Sequence, residues 1–96
     1  MSSIELERRY SKELISSGIL PHLRGYKYLI AAFLYVSERK YRDYGVLNIY
    51  KAVASDYKVT PVSVERCIRH AISKTDIAMR NGEYIASVAE KVRLAG

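Results

Sequence analysis

Glu65, Arg66, Arg69 and His70 stand close together in the run TPVSVERCIRHAI, residues 60–72. An arginine can donate two hydrogen bonds to O6 and N7 of guanine, a glutamate can accept from N4 of cytosine, and a histidine can meet a phosphate or a sugar. Chemistry of that kind needs its side chains on one accessible face. Thr60 can cap a helix with its hydroxyl, and Pro61 at the first helical position gives up only an amide proton that has no partner there. At about 100° per residue, an inward Val64 is joined by Cys67, Ile68, Ala71 and Ile72, while Val62, Arg66, Arg69, His70 and Ser73 fall on the other side. An outward helix face with two arginines suits a nucleic-acid groove.

A second helix must fix the first in place. Val46, Ile49, Tyr50, Val53 and Tyr57 recur at i, i+3, i+4, i+7 and i+11, which predicts an amphipathic helix over Val46–Tyr57. Only Lys58 and Val59 separate it from Thr60. So short a turn makes the two helices cross steeply; it needs a small residue where the backbones approach and an apolar one in the corner, places that Ala54 and Val59 take. The residue after such a first helix commonly has positive φ and is glycine or asparagine. Here it is Lys58, at a cost on the order of 1 kcal/mol that a packed core absorbs. Residues 46–73 therefore read as a helix-turn-helix.

The rest of the chain has to hold that pair. At 96 residues it reads as one domain, 1–96, with a single modest core. A hydrophobic share of 49% with few glycines and prolines excludes a disordered chain. The net charge of +6 and a pI near 9.6 suit an anionic partner. A single cysteine, Cys67, leaves no internal disulfide framework and fits a reducing compartment, so the cytoplasm is the expected location. The apolar run over residues 29–36 falls short of the roughly 20 that a membrane span needs. Residues 1–9 lack the apolar segment of a secretory signal, and no membrane partner is expected.

Leu6, Tyr10 and Leu14 predict a first helix, stopped by Gly18 in the left-handed region. Tyr26, Leu29, Ile30, Phe33 and Leu34 predict a second, the most buried, running towards Ser37. Residues 38–45 have no apolar period; Arg39, Lys40 and Arg42 there are phosphate candidates or, on a plainer view, charges of a solvated connector. After Ile72 the helix is expected to run on through Thr75 and Ile77 and to end near the turn dipeptide Asn81-Gly82. Ile85, Val88, Ala89 and Val92 mark a last helix. No segment alternates as a strand would. The expected fold is all-α, a small bundle of about five helices.

Three segments carry a resemblance: HLRGYKYL at residues 22–29, IYKAVASDYKVTPVSVERCIRHAI at 49–72 and EYIASVAEKVRL at 83–94. Together they resemble the carboxy-terminal, DNA-binding effector domain of the stage-zero sporulation protein A family, the master response regulators of endospore formation. The VERCIRHAI stretch is specific, because a generic helix-turn-helix fixes only its apolar positions. The resemblance implies a transcription factor whose recognition helix, residues 61–73, enters the major groove of double-stranded DNA, with Glu65, Arg66 and Arg69 facing the bases. Lys58, Thr60, Val62, Ser63, His70 and Ser73 complete the candidate DNA-binding set. A homodimer on DNA is expected, with residues 83–94 or 38–45 as its surface; a full-length relative or RNA polymerase are further candidate partners.

The chain departs from the family in three ways. The family has a phosphate-accepting receiver domain ahead of this one, and no receiver is expected before Met1 here. A short SKTDIAMRNG linker stands where the family has a longer stretch with an additional helix. Val62-Ser63 replaces a Ser-Arg pair, which removes a cation from the tip of the recognition helix.

Plainer alternatives stay open. Arg66 and Arg69 are also the residues of an ordinary solvated face, and Glu65 is placed to pair with Arg69 at i, i+4 for a few tenths of a kcal/mol. Cys67, His70 and His22 do not make the four ligands of a closed metal site, so neither metal nor cofactor is expected. No nucleophile motif, phosphate loop or metal-binding pair appears, and the chain is not expected to be an enzyme. The alternative to a DNA-binding regulator is a helical interaction module that pairs with a full-length relative and interferes with it.

Overall fold

Ser2 starts the first helix by accepting a hydrogen bond at its hydroxyl from the Glu5 amide, 3.2 Å away. In the computed structural model, which describes residues 2–38 and 45–95, this helix is α1, Ser3–Ser16. It is followed by α2 (Arg24–Ser37), α3 (Val46–Tyr57), α4 (Pro61–Ser73) and α5 (Asn81–Ala95). The described residues contain no strand, and the fold is an all-α bundle. None of these helices is long and apolar enough to cross a membrane. Arg39, Lys40 and Arg42 lie outside the described residues.

Two helices end in the same hydrogen-bonded motif built on different residues. After α1, Gly18 has φ +87°, its amide donates to the Ile15 carbonyl, and the Ile19 amide reaches back to Leu14, each at 3.0 Å. After α3, Lys58 has φ 55°, its amide donates to Ser55 at 3.4 Å, and the Val59 amide reaches back to Ala54 at 3.0 Å. Both satisfy carbonyls that a helix end would otherwise leave unpaired, and in both the next residue is apolar and packs on the core, Ile19 within it and Val59 at its edge. Glycine adopts this conformation freely. Lysine pays about 1 kcal/mol for it, and the burial of Ala54 and Val53 behind the turn outweighs that cost.

α2 is the central element and touches all four other helices. Leu29, Ala32 and Phe33 on it are fully buried. The Phe33 ring stacks on Tyr10 of α1, centroids 4.7 Å apart, and lies 6.4 Å from Tyr84 of α5, so one aromatic row ties three helices together. The ion pair between Lys91 and Glu13, at 3.1 Å, joins α5 to α1 on the surface and adds little.

Three expectations need correction. The helix that begins at Pro61 stops at Ser73 and does not run on to Asn81. The Thr75 hydroxyl donates to the Ile72 carbonyl at 2.7 Å and accepts from the Ile77 amide at 3.0 Å, offering the backbone a local alternative to another helical turn. Asn81-Gly82 then opens α5 where a turn was expected, with the Tyr84 amide bonded to the Arg80 carbonyl at 2.9 Å. Tyr57 also departs from its inward assignment. It is 39% exposed, with its ring set edge-on to Tyr28 and the Lys27 ammonium 5.1 Å above it.

The Tyr84 hydroxyl is buried with no hydrogen-bond partner among the described residues. Burial raises its pKa above the ordinary 10.0, while Ser17 nearby acts the other way. Burial raises Tyr10 and Tyr50 in the same sense. A phenol whose folded pKa is raised contributes stability that is complete below the unfolded value and is lost as pH climbs through the folded one. Urea titrations should therefore show stability falling above about pH 10. Tyr84→Phe should be neutral to about 1 kcal/mol stabilising at pH 7, because it removes an unpaired buried hydroxyl, and should soften the alkaline loss. A Tyr84→Phe variant destabilised by more than 1 kcal/mol at pH 7 would show that the hydroxyl has a partner after all.

Candidate nucleic-acid interface

Thr60 sets the start of α4: its Oγ1 accepts from the Ser63 amide at 3.1 Å, and Pro61 occupies the first turn. Val64, Ile68, Ala71 and Ile72 are buried against the bundle, and Cys67 is half-buried at their edge. Opposite them Val62, Arg66, Arg69 and Ser73 are all exposed. Their spacing of i, i+4, i+7 and i+11 confines them to a stripe about 60° wide and about 16 Å long. His70, also exposed, stands at the edge of that stripe. The Ser73 hydroxyl donates to the His70 carbonyl at 2.6 Å.

The remaining candidates divide by position. Glu65 flanks the stripe, half-buried, and its carboxylate receives Nη2 of Arg69 at 2.8 Å. The i, i+4 pair foreseen as the plainer alternative for Glu65 therefore exists, and it holds Arg69 over the helix. Arg66 has no ion pair among the described residues. Lys58, Thr60 and Ser63 gather at the amino-terminal end of α4, with the Thr60 hydroxyl committed to the cap and the Lys58 side chain exposed beside it. The nine candidate residues thus lie on one helix and the turn before it, and four of them form the exposed stripe.

Two residues that position α4 were not singled out from the sequence. Gly25, near the start of α2, faces the middle of α4: a Cβ there would lie 2.2 Å from the Cys67 carbonyl oxygen and 2.6 Å from the Ala71 Cβ. The two helices touch backbone to backbone at that point. A lone glycine inside the apolar period of a predicted helix is a sign of such an approach, and HLRGYKYL contained it. Asn81 is the other. Its Nδ2 donates to the Glu65 carbonyl at 3.2 Å, and its side chain lies near the Tyr50 hydroxyl. Burial raises the Tyr50 pKa, and Asn81 nearby opposes the rise. Asn81 thus ties the start of α5 to α4 at the residue whose side chain holds Arg69.

A family model described as sporulation initiation factor Spo0A C terminal matches residues 11–91. The chain belongs to that family. The match takes in the end of α1, all of α2, α3 and α4, the connection over residues 74–80 and most of α5. The Spo0A C-terminal family is one of DNA-binding effector domains of a sporulation regulator, a family of transcription factors and not of enzymes. The resemblance drawn from the three sequence segments is thereby borne out, and DNA is the partner that membership supplies.

Proposed function

We propose that this chain is a sequence-specific, double-stranded DNA-binding transcriptional regulator, a helix-turn-helix domain in which α4 is the recognition helix and lies in the major groove. The observation that supports it is the stripe of Val62, Arg66, Arg69 and Ser73, exposed along one side of a helix whose other side is buried. In this proposal Arg66 and Arg69 read guanine through O6 and N7. Glu65 accepts from cytosine N4 or, through its contact with Arg69, holds that guanidinium in register. His70 and Ser73 meet sugar or phosphate at the groove's edge. Lys58, Thr60 and Ser63 sit where the amino-terminal end of α4 approaches the backbone, and the positive end of the helix dipole there favours an anion.

A single recognition helix makes few base contacts, so a second copy on an adjacent half-site, and RNA polymerase beside it, are the proposed partners on DNA. Selection of bound duplexes from a random pool, followed by anisotropy titration at several salt concentrations, tests the proposal. One enriched motif containing guanine is expected, with affinity for it well above that for scrambled duplex. Salt-sensitive binding with no preference among sequences would count against it, since phosphate contacts alone behave in that way.

A further inference from the structure

Val62 is the apolar member of an otherwise polar stripe. It is 56% exposed, and the core side of α4 is already filled by Val64, Ile68 and Ala71, so its side chain lies outside the core. Thr60 and Pro61 fix the backbone just before it, and a β-branched side chain in a helix keeps essentially one rotamer. Its methyl groups are therefore presented in a set place at the leading end of the recognition helix.

The base edges of the major groove offer donors, acceptors and one apolar group, the C5-methyl of thymine. A valine set against a donor or acceptor strips it of water and returns no hydrogen bond. We infer that Val62 packs on the methyl group of a thymine one or two base steps from the guanine that Arg66 reads. The two residues are one helical turn apart, about 6 Å along the axis, and base pairs rise by about 3.4 Å per step. Cytosine is excluded from that position because it lacks the methyl group and would present its amino group to the valine. The inference rests on α4 lying in the groove as proposed above.

Deoxyuridine differs from thymidine only by the methyl group, which makes the test direct. In a synthetic duplex carrying the selected motif, each thymine is replaced in turn, and binding is measured for the parent protein, Val62→Ala and Arg66→Ala. At one position deoxyuridine should weaken the parent about fourfold, the value of burying one methyl-sized group. The same replacement should leave Val62→Ala unaffected, and that variant should melt like the parent because the residue is exposed. A scan in which no thymine matters to the parent, or in which the sensitive thymine matters equally to Val62→Ala, overturns the assignment. Arg66→Ala separates the two levels. If it weakens binding while the scan is flat, only the role of Val62 falls; if it too has no effect, the placement of α4 falls and the role of Val62 with it.

Discussion

Gly25→Ala is expected to destabilise the domain by about 3 kcal/mol or more, although alanine is the better helix former by about 1 kcal/mol. The new methyl group would sit 2.2 Å from the Cys67 carbonyl oxygen, an atom of the α4 backbone that cannot rotate aside. α2 and α4 would have to move apart, and the contacts of Leu29, Ile68 and Ala71 between them would loosen together. A domain of this size has about 5–15 kcal/mol in all, and each kcal/mol lost lowers its melting temperature by about 4–8 °C. Thermal and urea melts should therefore show a fall of about 12 °C or more. Ala71→Gly in the same background removes the 2.6 Å contact with the Ala71 Cβ but not the clash with Cys67, so it should recover only part of the loss. A Gly25→Ala protein that melts at or above the parent temperature would refute the close approach.

That glycine shows where the sequence was readable and where it was not. Helical periods located the stripes of α1, α2, α3 and α5 because burial on one side of a helix repeats with the helix itself, and the Thr60-Pro61 pair marked the start of α4 to the residue. Lys58 was legible as a left-handed residue from the shortness of the turn, even without glycine. What escaped were matters decided between elements. Gly25 looked like a weak spot in a helix until α4 came to rest on it. Thr75 ended α4 through hydrogen bonds of its own side chain, which compete with the backbone without disturbing any apolar period. Asn81-Gly82 has the composition of a turn, but the Asn81 side chain is drawn to the Glu65 carbonyl, a partner 16 residues away that no local pattern announces. The outward stripe of α4 was readable as a surface; the Glu65–Arg69 contact was readable only as one of two alternatives.

Arg66→Ala and Arg69→Ala should each weaken binding to the selected site by about 1–3 kcal/mol, roughly 5- to 150-fold, with stability unchanged within about 0.5 kcal/mol because both side chains are exposed. The two arginines should nevertheless respond differently to their surroundings. Arg69 is held by Glu65 at 2.8 Å, a contact worth only a few tenths of a kcal/mol to the fold but one that sets the guanidinium before DNA arrives. Glu65→Gln should then weaken binding while leaving the preferred base unchanged, and should cost little further in an Arg69→Ala background. If Glu65 instead accepts from a cytosine, Glu65→Gln will relax the preference at that one base pair, and the losses of the two single variants will add. Arg66→Lys keeps the charge and loses the two-pronged donor, so it should erode discrimination with the salt dependence intact. Lys58→Ala should do the reverse, weakening all sequences alike and lowering the slope of log K against log salt by about 1. Loss of affinity from Arg66→Lys and Lys58→Ala in the same pattern, uniform across sequences and tied to salt, would make the stripe on α4 a backbone-gripping surface and not a reader of bases.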